Sequence, residues 1–236
     1  MRWRSVVVAV ALVSLCGCVE QPAGTYEPAA VSTASRIDSD DLTLRADQVD
    51  RDVREATVRV RARGCFGLGT GSGVVIGRHL LATNRHVVAG ADELQVSTWD
   101  GHTLDVAISG YADHNDLALV ETRQPLPESL GVGPTPANGE PVDAVGYPKG
   151  RRLTFSPGEV VDRVDGSLFG ESTDTLRITN TIHPGNSGGP LVDEDGNVVG
   201  VVFAVERSTG YGLAVPIDAL TRAMKQRGFF ENPSPC

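Results

Sequence analysis

The sequence predicts an all-β domain, and three features carry that prediction. Short runs alternate apolar and polar residues, as in Thr57-Val58-Arg59-Val60-Arg61, the period-2 pattern of a half-buried strand. Turn formers separate the runs: Gly77-Arg78, Ala89-Gly90-Ala91-Asp92, Asp100-Gly101 and the hairpin signal Asp195-Gly196. A total of 27 glycines and 14 prolines in 236 residues suits a chain that turns often. The runs form two series, so two β halves are expected; the pattern alone does not choose between barrels and sandwiches.

In chain order, residues 1–18 are laid out as an export signal. Arg2 and Arg4 are followed by an apolar run from Val6 to Leu15, too short to span a bilayer comfortably, and then by Leu15-Cys16-Gly17-Cys18. Those four residues resemble a bacterial lipobox, in which Cys18 receives lipid and becomes the new N-terminus; a plain secretory signal cut nearby is the alternative. Residues 19–41, rich in Pro, Ala, Ser, Thr and acids, read as a flexible tether. Within the remaining domain, residues 42–236, a short charged helix is expected over 46–55, with Val49 and Val53 four apart.

The first strand series, residues 57–123, starts with the run at 57–61 and continues at 71–76, 80–83, 94–98, 104–109 and 117–121. Residues 124–140 contain Pro125, Pro127, Pro134 and Pro136 and read as the connection. The second series, residues 141–215, has runs at 141–146, 153–164, 176–180, 190–192, 198–206 and 212–215. A closing helix is expected over 217–227, where Ile217, Leu220 and Met224 share a face and Gly228 follows.

The net charge of −9 argues against nucleic-acid binding, because phosphate contacts require clustered Lys and Arg, and only short pairs such as Arg151-Arg152 occur. The histidines and acids lack His-Glu-x-x-His spacing, so no metal site is expected. The Gly67-Leu68-Gly69-Thr70-Gly71-Ser72-Gly73 segment lacks the Gly-Lys-Ser/Thr ending of a phosphate loop and reads as a strand-turn where backbone packs closely. His79 and His102 read as surface residues; His183, two residues before Gly185, reads as a loop-shaping residue, with contact to substrate as the alternative; and His114 has no assigned role.

Three fragments carry chemistry. In Gly185-Asn186-Ser187-Gly188-Gly189-Pro190, glycines let the backbone turn its N–H groups inward around an exposed hydroxyl, and the N–H groups of Gly185 and Ser187 are candidates for an oxyanion site. The fragment Ala82-Thr83-Asn84-Arg85-His86-Val87-Val88 ends a strand with an imidazole that can take and return a proton near neutrality. Finally, His114-Asn115-Asp116-Leu117-Ala118-Leu119-Val120 places an acid before an apolar strand, where it can orient that imidazole.

Together the fragments resemble the trypsin-like serine protease family in the order His, Asp, Ser and in spacing, 30 residues from His86 to Asp116 and 71 to Ser187. The resemblance covers residues 58–215. It implies two packed antiparallel six-stranded β-barrels and a serine endopeptidase acting through His86, Asp116 and Ser187 without a cofactor. No Ile-Val-Gly-Gly start follows a basic residue, and Asn186 stands where animal members carry Asp. Both features look more like exported bacterial proteases of the HtrA type. About twenty residues follow Val215, so no PDZ domain is expected.

Cys65 and Cys236 are a disulfide candidate in an exported protein, a staple of roughly 2–4 kcal/mol. Some actinobacterial envelope members have similarly placed cysteines. The family's main pocket is floored six residues before the nucleophile, here by Thr181, with walls from Phe203, Ala204 and Val205 and from Tyr211 to Leu213. A small or medium apolar side chain is therefore expected before the cut. Expected partners are protein or peptide substrates and, through Cys18, a membrane; a monomer is expected. A non-cutting binding module with the same fold and an esterase are the competing readings. The intact triad argues against the first, and the strands around Ser187 against the second.

Overall fold

The computed structural model describes residues 39–64, 67–111, 115–171 and 174–225; Cys18, Cys65, His114 and Cys236 lie outside them. The chain begins with helix α1 (Ser39–Ala56). It starts at Ser39 rather than 46. Val53 is buried and packs with Val145 and Val192, while Val49 flanks the same cluster, so α1 docks on the second half of the domain.

The first half is a closed barrel of β1 (Thr57–Gly64), β2 (Gly67–Gly77), β3 (Leu80–Thr83), β4 (Ala91–Ser97), β5 (Thr103–Tyr111) and β6 (Ala118–Thr122), with ring order β1-β2-β3-β6-β5-β4. The expected alternation is realised in β1: Val58, Val60 and Ala62 are buried, and the arginines between them point outward. Gly67–Gly73 is not a turn but part of β2, paired without a break to β1 from Gly64↔Gly67 to Thr57↔Val74. The close packing expected there is present. A Cβ on Gly71 would stand 2.6 Å from the Val87 side chain and 2.9 Å from the Ser187 carbonyl oxygen.

The second half repeats the plan with β7 (Pro141–Gly146), β8 (Thr154–Val164), β9 (Thr175–Ile178), β10 (Pro190–Val192), β11 (Val198–Val205) and β12 (Gly212–Pro216), closed in the order β7-β8-β9-β12-β11-β10. Closure removes the unpaired edges that open sheets would leave, so the all-β expectation resolves to two six-stranded antiparallel barrels. A short helix α2 (Arg85–Val88) interrupts the first barrel, and α3 (Ile217–Lys225) follows the second. No helix among the described residues is long and apolar enough to cross a membrane.

Each barrel fills its own interior, and a further apolar cluster joins the two. Val74, Leu80, Ala82, Leu117 and Leu119 of the first half meet Val198, Val201, Phe203, Leu213 and Val215 of the second, with Ile217 and Leu220 of α3 alongside. Large side chains buried here contribute roughly 1.5–3 kcal/mol each. This shared core fixes the ends of β3, β6 and β11 relative to one another, and the candidate site is assembled at those ends.

Candidate active site

His86 is the second residue of α2, not the end of a strand. β3 stops at Thr83, Asn84 adopts an extended conformation, and one helical turn carries the imidazole outward. Asp116 lies two residues before β6, which pairs with β3 at Thr83↔Ala118, so strand pairing brings the two loops together. Asp116 Oδ1 accepts the backbone N–H of His86 at 2.9 Å, and Oδ2 accepts the ring Nδ1–H at 2.5 Å. The carboxylate thus holds both the backbone and the ring of His86, leaving Nε2 as the nitrogen able to accept a proton. The His86 side chain is 49% exposed and that of Asp116 only 15%.

Two further groups hold Asp116, and the sequence reading did not single out either. Asn84 Nδ2 donates to its carbonyl at 2.7 Å, and Glu171 Oε2 accepts its N–H at 2.7 Å. Glu171 belongs to the second half and is 8% exposed. Burial pushes its carboxyl above the ordinary range, and the nearby Asp116 charge adds to the rise, while the Asp116 N–H and His86 oppose it. Asn84 lies inside the His86 fragment, but its contact is across strands. Nothing in the Gly170-Glu171 sequence marks that glutamate.

Ser187 sits in the loop before β10. The hydroxyl hydrogen bond recorded among the described residues runs to the Phe203 carbonyl at 3.2 Å. Around it, four successive carbonyls are held, three by the body of the protein and one within the loop. Pro184 accepts from the Lys149 N–H (2.6 Å), Gly185 from the Ser72 hydroxyl (2.7 Å), Asn186 from the Gly189 N–H (2.9 Å) and Ser187 from the Ser72 N–H (2.8 Å). With these carbonyls turned inward, the N–H groups of Gly185 and Ser187 have no protein acceptor among the described residues. Two preorganised donors beside a hydroxyl suit a developing oxyanion.

Glycine is required in this loop. Gly185 has φ +100°, and a Cβ there would lie 2.4 Å from the Tyr147 carbonyl oxygen. Gly188 has φ +87°, and its Cβ would lie 2.2 Å from both the Ser72 carbonyl oxygen and Thr83 Oγ1. Asn186 is 3% exposed, and its Oδ1 has no partner among the described residues.

Of the residues expected to form the specificity pocket, Thr181 is exposed and accepts the Ser156 hydroxyl on its carbonyl at 3.1 Å. Phe203 is buried, Ala204 half-buried and Val205 exposed. Tyr211 is stacked against the Arg177 guanidinium, 5.7 Å from the ring centre. That guanidinium pairs with Asp162 and Glu206; the hydrogen bond to Asp162 first, and then the charges of Asp162 and Glu206, push its pKa up, against the lowering effect of burial. Ile182, not singled out in the sequence, packs on the second-barrel core; a Cβ on Gly212 would stand 2.7 Å from it. A separate cavity of about 270 Å³ opens beside His86 and is lined by Val87, Gly90, Leu68 and Gly69, sharing no residue with that pocket.

The other histidines take minor places. His79 bonds the Thr122 carbonyl, His102 pairs with Asp100 in an exposed hairpin, and the His183 carbonyl accepts the Asn186 N–H.

The chain matches the model of the trypsin-like peptidase domain over residues 71–201, more than half its length. It is similar to the serine protease Do-like HtrA of Bacillus subtilis, 31% identical over 185 residues that cover 70% of this chain and 41% of that protein. Similarity also extends to the chloroplastic protease Do-like 1 of Arabidopsis thaliana, 30% identical over 203 residues covering 80% and 44%. The chain thus spans less than half the length of these relatives. Among solved structures, the active form of the Rv3671c protease from M. tuberculosis superposes with a TM-score of 0.68 at 26% identity, covering 82% of this chain and 88% of that one. With this two-barrel frame, this loop geometry and these matches, the chain belongs to the trypsin-like peptidase family.

Proposed function

We propose that the protein is a serine endopeptidase of the cell envelope in which Ser187 is the nucleophile, His86 the general base and acid, and Asp116 the residue that orients His86. The observation carrying this reading is the double hold of Asp116 on His86, through the backbone N–H and through ring Nδ1. That hold selects the tautomer whose Nε2 accepts the serine proton and stabilises the cation that forms. In the first step the Ser187 hydroxyl exchanges the Phe203 carbonyl for Nε2, gives up its proton and attacks the scissile carbonyl. The resulting oxyanion is received by the N–H groups of Gly185 and Ser187. His86 then protonates the leaving amine, and water, deprotonated by His86, hydrolyses the acyl-enzyme.

Thr181, Phe203, Ala204, Val205 and Tyr211 border the residue before the cut. They offer no carboxylate, which favours small or medium apolar side chains over Lys or Arg. The leader ending at Cys18 supports export and lipid anchoring, and Cys65 with Cys236 supports a disulfide in the oxidising space outside the cytoplasm.

Cleavage profiling of a peptide library with wild type and Ser187→Ala tests the reading. Wild type should react with a fluorophosphonate and cleave after apolar residues, and Ser187→Ala should do neither while remaining folded. Retained proteolysis in Ser187→Ala rejects the nucleophile; cleavage mainly after Arg or Lys rejects the pocket assignment.

A further inference from the structure

We propose that Ser72, in the glycine-rich segment of β2, is the positioning residue that sets the oxyanion-binding loop; the assignment rests on the catalytic reading above. Ser72 belongs to the first barrel and is fully buried. On one side its strand pairs with β1, Ser72 lying opposite Arg59. On the other, β3 covers β2 only from Val74 onward, so at Ser72 that edge is free for other partners. The second barrel takes it: the Ser72 N–H donates to the Ser187 carbonyl at 2.8 Å. Its own carbonyl accepts the Thr83 hydroxyl at 2.6 Å, which ties the residue to the strand leading to His86.

The side chain completes the clamp. Its hydroxyl donates to the Gly185 carbonyl at 2.7 Å and accepts the Tyr147 N–H at 2.9 Å. Both partners are backbone groups of the second barrel, one in the nucleophile loop and one just after β7. A hydroxyl has one proton to give, and this one gives it to the residue whose N–H is half of the proposed oxyanion site. Gly185 needs such a restraint because, at φ +100°, its backbone has no side chain to limit rotation. The Gly185 carbonyl belongs to the peptide that links Gly185 to Asn186, which lies between the Gly185 and Ser187 N–H groups; if it is released, that peptide can turn about Gly185 and the two N–H groups lose their fixed relation.

The fit is close. A Cβ on Gly146 would stand 2.8 Å from Ser72 Oγ, and one on Gly189 3.2 Å from Ser72 Cβ. Each glycine leaves room for the serine and little else. Removing the hydroxyl strands a carbonyl and an N–H that have no other hydrogen-bond partner among the described residues.

The test compares wild type, Ser72→Ala and Ser72→Cys, the last retaining the shape and a weak donor. Turnover is counted per site labelled by a fluorophosphonate, and affinity is measured for a peptide boronate, which forms the tetrahedral adduct, and for the matching product peptide, which does not. Ser72→Ala should lose about 10- to 100-fold in kcat, less than the roughly 100- to 1000-fold typical of deleting an oxyanion donor itself. Boronate affinity should fall in parallel, product-peptide affinity should stay within about two-fold, and Ser72→Cys should fall between. Wild-type kcat and boronate affinity in Ser72→Ala, whatever its Tm, would overturn the proposal by making Ser72 a stability residue only. If Ser72→Ala does not fold, Ser72→Cys decides by the same readings. Failure of wild type to label at Ser187 would defeat the catalytic reading itself, whereas normal labelling with unaffected Ser72 variants defeats only this inference.

Discussion

In the first barrel the strands close in the order β1-β2-β3-β6-β5-β4, and in the second β7-β8-β9-β12-β11-β10, the same path six strands later. The two equivalent frames deliver different kinds of group. The first presents His86 on a single helical turn, its side chain half in solvent. The second presents a loop in which Gly185, Asn186, Gly188 and Gly189 are all buried and four carbonyls in a row are held. On the proposed reading, a base that must meet substrate and pass on a proton needs access, so it is held from behind by one carboxylate. Donors proposed to receive a developing charge must not reorganise during the reaction, so their loop is fixed beforehand.

Four predictions probe this contrast, from the largest expected effect to the smallest. His86→Ala should lower kcat on the order of 10⁴-fold with Tm nearly unchanged, because the side chain is accessible and, on the proposed reading, serves catalysis rather than packing. Steady-state kinetics with a differential scan checks it; a large loss of Tm would show that the first barrel's site is as structural as the second's.

Gly188→Ala should instead cost about 3 kcal/mol or more in urea unfolding, since the new methyl meets a carbonyl oxygen at 2.2 Å in a left-handed conformation. Gly90→Ala, in the first barrel at φ +69°, where an added Cβ would meet nothing within 4 Å, should cost about 1 kcal/mol. Equal costs would erase the distinction between a packed loop and an open one.

Glu171→Gln links the halves. The raised pKa of Glu171 means that the folded protein holds its proton more tightly than the unfolded chain does. Its contribution to stability is therefore fully present at low pH and lost as pH rises through the folded pKa. Gln should remove that dependence and move the acid limb of the kcat/KM profile to lower pH, with a change of roughly ten-fold or less at neutral pH. An unchanged limb would mean that Glu171 holds only the Asp116 backbone.

Arg45→Ala should shift Tm by no more than about 1 °C, because its ion pair with Asp195 is exposed on both sides. A larger shift in thermal unfolding would mean that charge, rather than Val53, docks α1 on the second barrel.

Local pattern made much of this legible. Alternation in residues 57–61 predicted β1, the Asp195-Gly196 signal predicted the β10–β11 hairpin, and most strand ends fall within three residues of expectation. The Gly67–Gly73 segment misled because glycines read as turn formers, whereas in β2 Gly71 is the residue small enough for α2 and the Ser187 loop to lie against the strand. His86 was legible as a residue but not as part of a helix, since four residues are too few to show a period of 3.6.

Which residues alternate, where the chain turns, and which fragments hold a hydroxyl, an imidazole and a carboxylate are determined by the sequence, because those signals act over a few neighbours. Only the tertiary structure decided that the strands close into rings, that Glu171 reaches Asp116 across 55 positions and that Ser72 reaches Gly185 across 113. A hydrogen bond between distant segments leaves no periodic trace in either one. It exists because the shared apolar core brings two barrels to one separation and one orientation, and that packing is a property of the whole chain.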